Sequence, residues 1–258
     1  MRESTPDAWQ TTFYQSLSCF NVASRLRGHD GAVCVRLIDD TPENHKNLAN
    51  AQIYSTIRAF APMPIMTLRD DLQLIYDWIP EHSHVLDLGC GKGELLSALT
   101  RHKHCTGYGV EIDADSVQAA IERGVNVIQA DLERGLGAFA DQSFDVLVLS
   151  QTLQAMHNTQ AILRELTRIA KQAVVSFPNF GYWHNRLQIL LGGRMPVSER
   201  MPHHWYDTPN IHLCTLHDFE RLCARNNVRI LERAVMRGGK RVNRLPNLLG
   251  SLAFYRVG

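Results

Sequence analysis

An acidic residue followed by closely spaced glycines is the part of this sequence best suited to hold a ligand. In the segment VLDLGCGKGELL, residues 85–96, Asp87 lies at the end of an apolar run. Three glycines follow it at alternate positions: Gly89, Gly91 and Gly93. Glycine tolerates backbone angles that other residues resist and leaves room for a ligand near the main chain. Because a helix that begins here would also present unpaired N–H groups and a positive dipole end, the pattern predicts a nucleotide-binding crevice.

Two further acids lie at the ends of predicted strands and extend the predicted crevice. Glu111 lies near the end of the segment 106–112, about twenty residues past the glycines, where an acid accepts hydrogen bonds from ribose hydroxyls. Asp131 follows the segment NVIQA, residues 126–130, which is predicted to be a strand. Since the carboxyl ends of successive parallel strands meet at one edge of a sheet, we expect both acids to face the same crevice as Asp87.

The elements that must position these acids alternate between strand and helix patterns from residue 66 onward. Such alternation predicts an α/β, Rossmann-like fold with a mostly parallel sheet, helices on both faces and right-handed βαβ units. The near-continuous apolar run FDVLVLS, residues 144–150, is typical of a central parallel strand. Seven strands are predicted, the last of them antiparallel, at residues 84–88, 106–112, 126–130, 144–150, 173–177, 228–236 and 252–257.

The chain divides near Met66 into two regions of different character. Residues 1–65 have poor periodicity and scattered Gly, Pro, Asn and Asp. They are predicted to be an N-terminal extension, either disordered or upstream of the true translation start. Residues 66–258 are predicted to form the folded domain.

Composition argues against several classes of partner. The net charge of +1 over 258 residues provides no global field for nucleic acid or an anionic membrane. From Arg221 to the chain end, nine lysines and arginines accompany a single acid, Glu232, and a solvated basic face is the expected explanation. No run approaches the roughly 18 apolar residues that span a bilayer, and no targeting signal is visible. We therefore expect a cytoplasmic protein that binds neither nucleic acid nor membrane.

Cysteine and histidine spacing argues against a metal centre. The six cysteines contain no C-x-x-C pair, which excludes an ordinary zinc knuckle and favours reduced thiols. Two H-x-H pairs occur, at residues 82–84 and 102–104, but no carboxylate or cysteine is spaced to complete a site. We therefore expect no metal.

The glycine segment with Asp87 resembles motif I of the class I S-adenosylmethionine (SAM) methyltransferases. The resemblance implies that SAM or S-adenosylhomocysteine is bound, with Asp87 at the methionine amino group. It also implies that Asp131 contacts the adenine amino group and that the next apolar residue packs on the adenine ring. The predicted cofactor-binding residues are Asp87, Gly89, Gly91, Gly93, Glu111, Ile112, Asp131 and Leu132.

A more specific resemblance comes from the second half of the chain. The phrases SFPNFGYW, GRMP, WYDTPNIHLCT and DFERLC, together with the glycine motif, closely resemble the MetW family of methionine biosynthesis proteins. The resemblance covers about residues 66–250. It implies a SAM-methyltransferase fold that acts with homoserine O-acyltransferase, in O-succinyl- or O-acetylhomoserine formation, as an accessory or activating subunit. A catalytic SAM-dependent methyltransferase acting on a small metabolite is the alternative.

The aromatic and polar stretch between residues 174 and 215 admits two interpretations. Its side chains form either a lid over the cofactor or a docking patch, because Trp, Tyr and Arg are enriched at interface hot spots. For the catalytic alternative, Tyr206 and His212 are the only candidate bases. A turn role for Asn179 and a structural hydrogen bond for His212 are the competing readings. The predicted substrate or partner residues are Asn179, Trp183, Arg194, His203, Tyr206, Asp207, Asn210 and His212.

Overall fold

The computed structural model describes residues 68–258, so the predicted N-terminal extension lies outside the described residues. These residues form an eight-stranded sheet with the order β3-β2-β1-β4-β5-β8-β6-β7. The strands are β1 (His84–Leu88), β2 (Thr106–Glu111), β3 (Val127–Gln129), β4 (Phe144–Ser150), β5 (Ala170–Pro178), β6 (Ile230–Arg237), β7 (Lys240–Arg241) and β8 (Leu252–Val257).

Helices connect the strands and cover both faces of the sheet. They are α1 (Asp70–Trp78), α2 (Glu94–Lys103), α3 (Ala114–Glu122), α4 (Leu132–Gly135), α5 (Thr159–Ile169), α6 (Trp183–Gly192), α7 (Leu216–Arg225) and α8 (Pro246–Leu249). Two short 3-10 helices, Leu136–Ala138 and Leu153–Ala155, precede and follow β4. No helix in the described part of the chain is long and apolar enough to cross a membrane.

The alternating pleat of β4 divides the core into two layers. Leu147 and Leu149 pack in a cluster with the apolar faces of α5 and α7, and Val146 and Val148 pack with α1, α2 and α3 on the other side. Successive side chains of a strand point to opposite faces, so a strand covered on both faces must be apolar throughout. This is the physical reason why the 144–150 segment is a near-continuous apolar run.

The predicted fold class is confirmed, with one additional strand. Strands β1 to β5 are parallel, and β8 runs antiparallel between β5 and β6, as expected for the last strand. The sheet has eight strands rather than seven because Lys240 and Arg241 pair with the end of β6 across the Gly238-Gly239 turn. Both residues are exposed and have no alternating apolar pattern, which leaves this edge strand without a sequence signal.

The parallel register brings the ends of the first three strands to one edge of the sheet. Leu88 pairs with Val110, and Glu111 pairs with Gln129. The glycine loop therefore leaves β1 beside Glu111, and Asp131 follows the end of β3. This edge carries the candidate site.

Candidate functional site

The three glycines of the loop all adopt positive φ angles, which L side chains rarely adopt. The φ angles are +75° at Gly89, +52° at Gly91 and +73° at Gly93. A Cβ atom on Gly89 would lie 2.5 Å from Thr152 Oγ1, and one on Gly93 would lie 3.0 Å from Ala120 Cβ in α3. A Cβ on Gly91 would meet no atom within 4 Å. The first and third glycines therefore permit close packing, whereas the middle one faces open space.

Asp87 is a buried carboxylate with no bonding partner among the described residues. Its exposed fraction is 3%, and no hydrogen bond or ion pair within residues 68–258 reaches its side-chain oxygens. Burial, followed by repulsion from Glu111, raises the pKa of Asp87 to about 7. Buried polar groups are ordinarily satisfied, so this carboxylate is suited to a ligand that brings a hydrogen-bond donor or a positive charge.

Glu111 is held by main-chain N–H groups of the glycine loop and of the segment that follows β2. Its Oε2 atom accepts a hydrogen bond from the Gly91 N–H at 2.9 Å. Its Oε1 atom accepts from the N–H groups of Ile112 at 2.8 Å and Asp113 at 3.0 Å. A carboxylate has about four acceptor positions, so one remains for a further donor. These bonds fix the carboxylate beside the glycine loop.

The third acid, Asp131, begins α4 at the next strand end. Its Oδ1 atom accepts a hydrogen bond from the Glu133 N–H at 3.0 Å, which makes Asp131 the N-cap of that helix.

The apolar residues that follow Glu111 and Asp131 in the sequence differ in their exposure to solvent. Leu132 is buried in the core, whereas Ile112 is 64% exposed at the edge of the sheet. An exposed isoleucine side chain at this edge is available to cover a planar ring.

Cys90, inside the glycine loop, is a neutral thiol. Burial raises its pKa well above the ordinary range, and the charges of Asp87 and Glu111 act in the same direction. A protonated thiol is a poor nucleophile and a poor metal ligand. No group of three or more His, Cys, Asp or Glu side chains within residues 68–258 is arranged to hold a metal ion.

The segment after β4 makes contacts beside the glycine loop that the sequence did not predict. Gln151 has a φ of +53°, and its side-chain amide donates a hydrogen bond to the buried carboxylate of Asp71 at 2.7 Å. Its backbone N–H donates to the Ser176 carbonyl at 2.9 Å. These two hydrogen bonds hold Gln151 in its left-handed conformation, and the turn at Gln151 places Thr152 against Gly89. Asp71 lies in the first turn of α1, 80 positions away, and nothing in the sequence links it to Gln151.

Asn179 occupies a buried structural position at the end of β5. Its side-chain nitrogen donates to the carbonyls of Asn247 at 3.0 Å and Gly250 at 2.8 Å. Its side-chain oxygen accepts from the Gly181 N–H at 3.0 Å. The amide thereby attaches the 247–250 segment to the start of the aromatic stretch.

Most other residues predicted for substrate or partner lie at the surface. Tyr206 is 70% exposed and stacks on His204, with ring centroids 5.4 Å apart, and Trp205 is 72% exposed. Trp183 begins α6 with 36% exposure. The remaining exposed members are Arg194, His203 and Asp207, whereas Asn210 is half-buried.

His212 is held beside the segment that follows β4. Its N–H group donates to the Gln154 carbonyl at 2.9 Å, and its ring Nε2 lies 3.1 Å from the His157 carbonyl. Because a carbonyl oxygen only accepts, Nε2 is the protonated ring nitrogen in this contact. The structure thus brings His212 to the 3-10 helix next to Thr152, while Tyr206 lies on the exposed aromatic surface.

The sequence is similar to characterised families and solved structures. The profile of the family described as "Methionine biosynthesis protein MetW" matches residues 69–257. A curated relative, "Bifunctional methionine biosynthesis protein MetXA/MetW" of Rhodopirellula baltica, is 39% identical over 177 residues. This alignment covers 65% of the chain and 28% of the relative, so the chain spans under a third of that protein.

Two solved structures with the same fold are described as SAM-dependent methyltransferases. One from Archaeoglobus fulgidus has a TM-score of 0.56 at 15% identity and covers 72% of this chain and 90% of its own. Another, from Mesorhizobium loti, has a TM-score of 0.55 at 16% identity and covers 73% and 97%. At these identities the likeness shows the α/β, Rossmann-like methyltransferase fold. The family match over residues 69–257 shows that the chain belongs to the MetW family of methionine biosynthesis proteins.

Proposed function

We propose that this chain binds S-adenosylmethionine and acts as an accessory subunit of homoserine O-acyltransferase in methionine biosynthesis. The observation that carries the cofactor assignment is the unpartnered, buried Asp87 carboxylate beside the open Gly91. The α-ammonium group of SAM supplies both the donor and the positive charge that this carboxylate lacks.

The rest of the SAM molecule matches the remaining groups of the crevice. The free acceptor position of Glu111 suits a ribose hydroxyl, and Asp131 at the next strand end suits the adenine amino group. Ile112 is exposed beside them and suits one face of the adenine ring. The sulfonium and ammonium charges of SAM also complement a sheet edge that carries three acids. When bound, SAM supplies an activated methyl group. In an accessory role, its binding instead makes the subunit respond to the output of methionine biosynthesis.

Calorimetric titration tests the cofactor assignment directly. We expect SAM and S-adenosylhomocysteine each to bind at one site and to raise the unfolding temperature, because a ligand that binds only the folded state stabilises it. ATP, which has the adenosine but lacks the methionine portion, is the matched control and is expected to bind far more weakly. The absence of heat and of any thermal shift at saturating SAM would contradict the assignment.

Two observations support the proposed partner. The Rhodopirellula relative carries a MetW region within a bifunctional protein, so in that chain the region is covalently joined to a second activity. In the present chain, several large apolar side chains are exposed in and beyond α6. Those defined here as the docking surface are Leu187, Leu190, Leu191, Met195, Trp205 and Tyr206, each at least 41% exposed. Exposed large apolar residues of this kind are enriched at protein interfaces.

Charged substitutions on the docking surface are expected to weaken the complex. Leu190 and Leu191 are 79% and 76% exposed near the C-terminus of α6, where lysine is compatible with the helix dipole. Leu190→Lys and Leu191→Lys should therefore each weaken binding of the acyltransferase about tenfold while the fold is retained. Surface plasmon resonance gives the affinity, and the acyl-transfer rate with and without this chain gives the activation.

Ala140→Lys is the matched control. Ala140 is exposed in the loop that precedes β4 and is not part of the docking surface. We expect its affinity for the acyltransferase to equal that of the wild type. If the wild-type chain neither associates with the acyltransferase nor changes its rate, the accessory role is wrong. If S-adenosylhomocysteine instead accumulates when SAM and a pathway metabolite are supplied, the catalytic alternative replaces it.

A further inference from the structure

The segment that follows β4 contacts both the glycine loop and the aromatic part of the docking surface. It comprises residues 151–158, and we name it the linking segment. Near its start, Thr152 packs against the glycine loop, since a Cβ atom added to Gly89 would lie 2.5 Å from Thr152 Oγ1. A ligand that lies on the glycine loop therefore also limits the positions open to Thr152.

The other end of the linking segment is bound to α4, the helix that Asp131 caps. The Glu133 carboxylate accepts hydrogen bonds from the N–H groups of His157 and Asn158, the second at 3.1 Å. The ring Nδ1 of His157 lies 2.9 Å from the same carboxylate and donates to it. The linking segment thus meets the crevice at both of its ends, at the glycine loop and at the helix that follows the third acid.

The middle of the linking segment anchors the part of the chain that carries Trp205 and Tyr206. The Gln154 carbonyl accepts hydrogen bonds from the N–H groups of Ile211 at 2.8 Å and His212 at 2.9 Å. These two donors come directly after residues 202–210, which we name the aromatic loop. One carbonyl of the linking segment therefore fixes the end of the aromatic loop.

The aromatic loop has no hydrogen bond or ion pair to any other part of residues 68–258. Its own bonds are local: the Asp207 N–H donates to the His204 carbonyl at 3.2 Å, and the His204 ring stacks on Tyr206. Trp205 and Tyr206 are 72% and 70% exposed. Their position consequently depends on the anchors at the two ends of the loop, and one of these anchors is the linking segment.

We propose that the linking segment couples the two sites, so that SAM in the crevice strengthens binding of the acyltransferase to the aromatic loop. This inference rests on the proposed function and adds the structural element through which one ligand affects the other. SAM on the glycine loop restrains Thr152 and, two residues later, the Gln154 carbonyl that anchors the loop. The acyltransferase then meets Trp205 and Tyr206 already ordered, so less of its binding free energy is lost in ordering them.

Two affinity measurements on the wild-type chain test the coupling. Surface plasmon resonance gives the affinity for the acyltransferase with and without saturating SAM, and calorimetry gives the affinity for SAM with and without saturating acyltransferase. Coupling between two binding sites is reciprocal, so we expect both affinities to rise by the same factor, about fivefold or more.

The outcomes separate this inference from the proposed function. If both ligands bind but SAM leaves the acyltransferase affinity unchanged or lowers it, the coupling is wrong and the proposed function stands. If SAM or the acyltransferase does not bind at all, the proposed function is wrong and the coupling is wrong with it.

Glu133→Ala tests whether the coupling runs through the linking segment. The substitution releases the N–H groups of His157 and Asn158 from α4, and we expect the coupling factor to fall below about twofold. SAM and the acyltransferase should each still bind when the other is absent, because Glu133 is neither a predicted SAM-binding residue nor part of the docking surface. His157→Ala removes only a ring that is 77% exposed from the same contact, so it should fold and lower the factor in the same direction.

Glu122→Ala is the matched control for both variants. Glu122 is an exposed acid of α3 whose carboxylate accepts a hydrogen bond from Gln118 at 3.0 Å. We expect it to keep the wild-type coupling factor. Variants at Glu133 and His157 that bind both ligands and also keep the full factor would overturn the assignment to the linking segment.

Discussion

Asp87→Asn is expected to weaken SAM binding about 100-fold, which corresponds to about 2.7 kcal/mol. The substitution keeps the size of the side chain and removes the negative charge that we assign to the ligand's ammonium group. Loss of a charge-assisted contact in a buried site has effects of this order. Calorimetric titration of the variant gives its affinity for SAM. For the wild type, the heat of proton release on SAM binding shows whether the Asp87 carboxyl is protonated before binding.

The pH dependence of binding provides a second, sharper readout. The pKa of Asp87 is about 7 in the folded protein, so below pH 7 the carboxyl is mostly protonated and must lose its proton to pair with an ammonium group. SAM affinity should therefore rise by up to about tenfold per pH unit as the pH approaches 7, and level off above it. In the Asp87→Asn variant this rise should be absent.

The same pKa also changes the stability of the ligand-free protein. The raised pKa means that the folded state binds an extra proton between the ordinary value of 3.8 and about 7. The free energy of unfolding should consequently fall as the pH rises through that window, and the Asp87→Asn variant should lack this contribution. Denaturant unfolding at several pH values measures the slope.

Asp77→Asn is the matched control, because Asp77 is an exposed acid of α1 whose carboxylate accepts a hydrogen bond from Gln73. It should leave SAM affinity and its pH dependence unchanged. An Asp87→Asn variant that is less stable at every pH and yet binds SAM as tightly as the wild type would assign Asp87 a purely structural role.

Gly107→Ala is expected to destabilise the protein by more than about 4 kcal/mol or to prevent folding altogether. Gly107 pairs with Val85 in the register of β1 and β2, and its φ is +150°. A Cβ atom there would lie 1.8 Å from the Val85 carbonyl oxygen and 2.7 Å from its carbonyl carbon. These are main-chain atoms of a paired central strand, so the contact is relieved only by separating β1 from β2.

Soluble yield and urea unfolding, followed by circular dichroism, measure the effect. Gly137→Ala is the control, since a Cβ atom on Gly137 would meet nothing within 4 Å and its φ is not positive. We expect Gly137→Ala to change stability by less than about 1 kcal/mol. A Gly107→Ala protein with a wild-type unfolding midpoint would show that β1 and β2 adjust without cost. If the variant folds, SAM binding should still weaken, because β1 and β2 together position Asp87 and Glu111.

Patterns between neighbouring residues were sufficient to predict most of the sheet. The strands 144–150 and 252–257 have the predicted bounds, and the placement of three acids at one sheet edge follows from where the first three strands end. Burial periodicity and the residues that end strands are local properties, so they are readable from a few positions along the chain. The family was also readable, because long motifs between residues 174 and 223 are specific to it.

Contacts between distant positions could not be predicted from these local patterns. The bond between Gln151 and Asp71, the close packing of Thr152 on Gly89 and the requirement for glycine at position 107 each join segments that meet only in the folded chain.

A cavity of about 500 Å³ between α5 and α7 also depends on contacts between segments that are far apart in the chain. Thr159 and Arg221 lie 62 positions apart and line one space only because both helices pack on the same face of the sheet. The amino-acid sequence by itself thus determined the α/β architecture, the family and the placement of three acids at one edge of the sheet. The tertiary structure decided which side chains lack partners, because the partner of a buried polar group depends on packing between segments far apart in the chain.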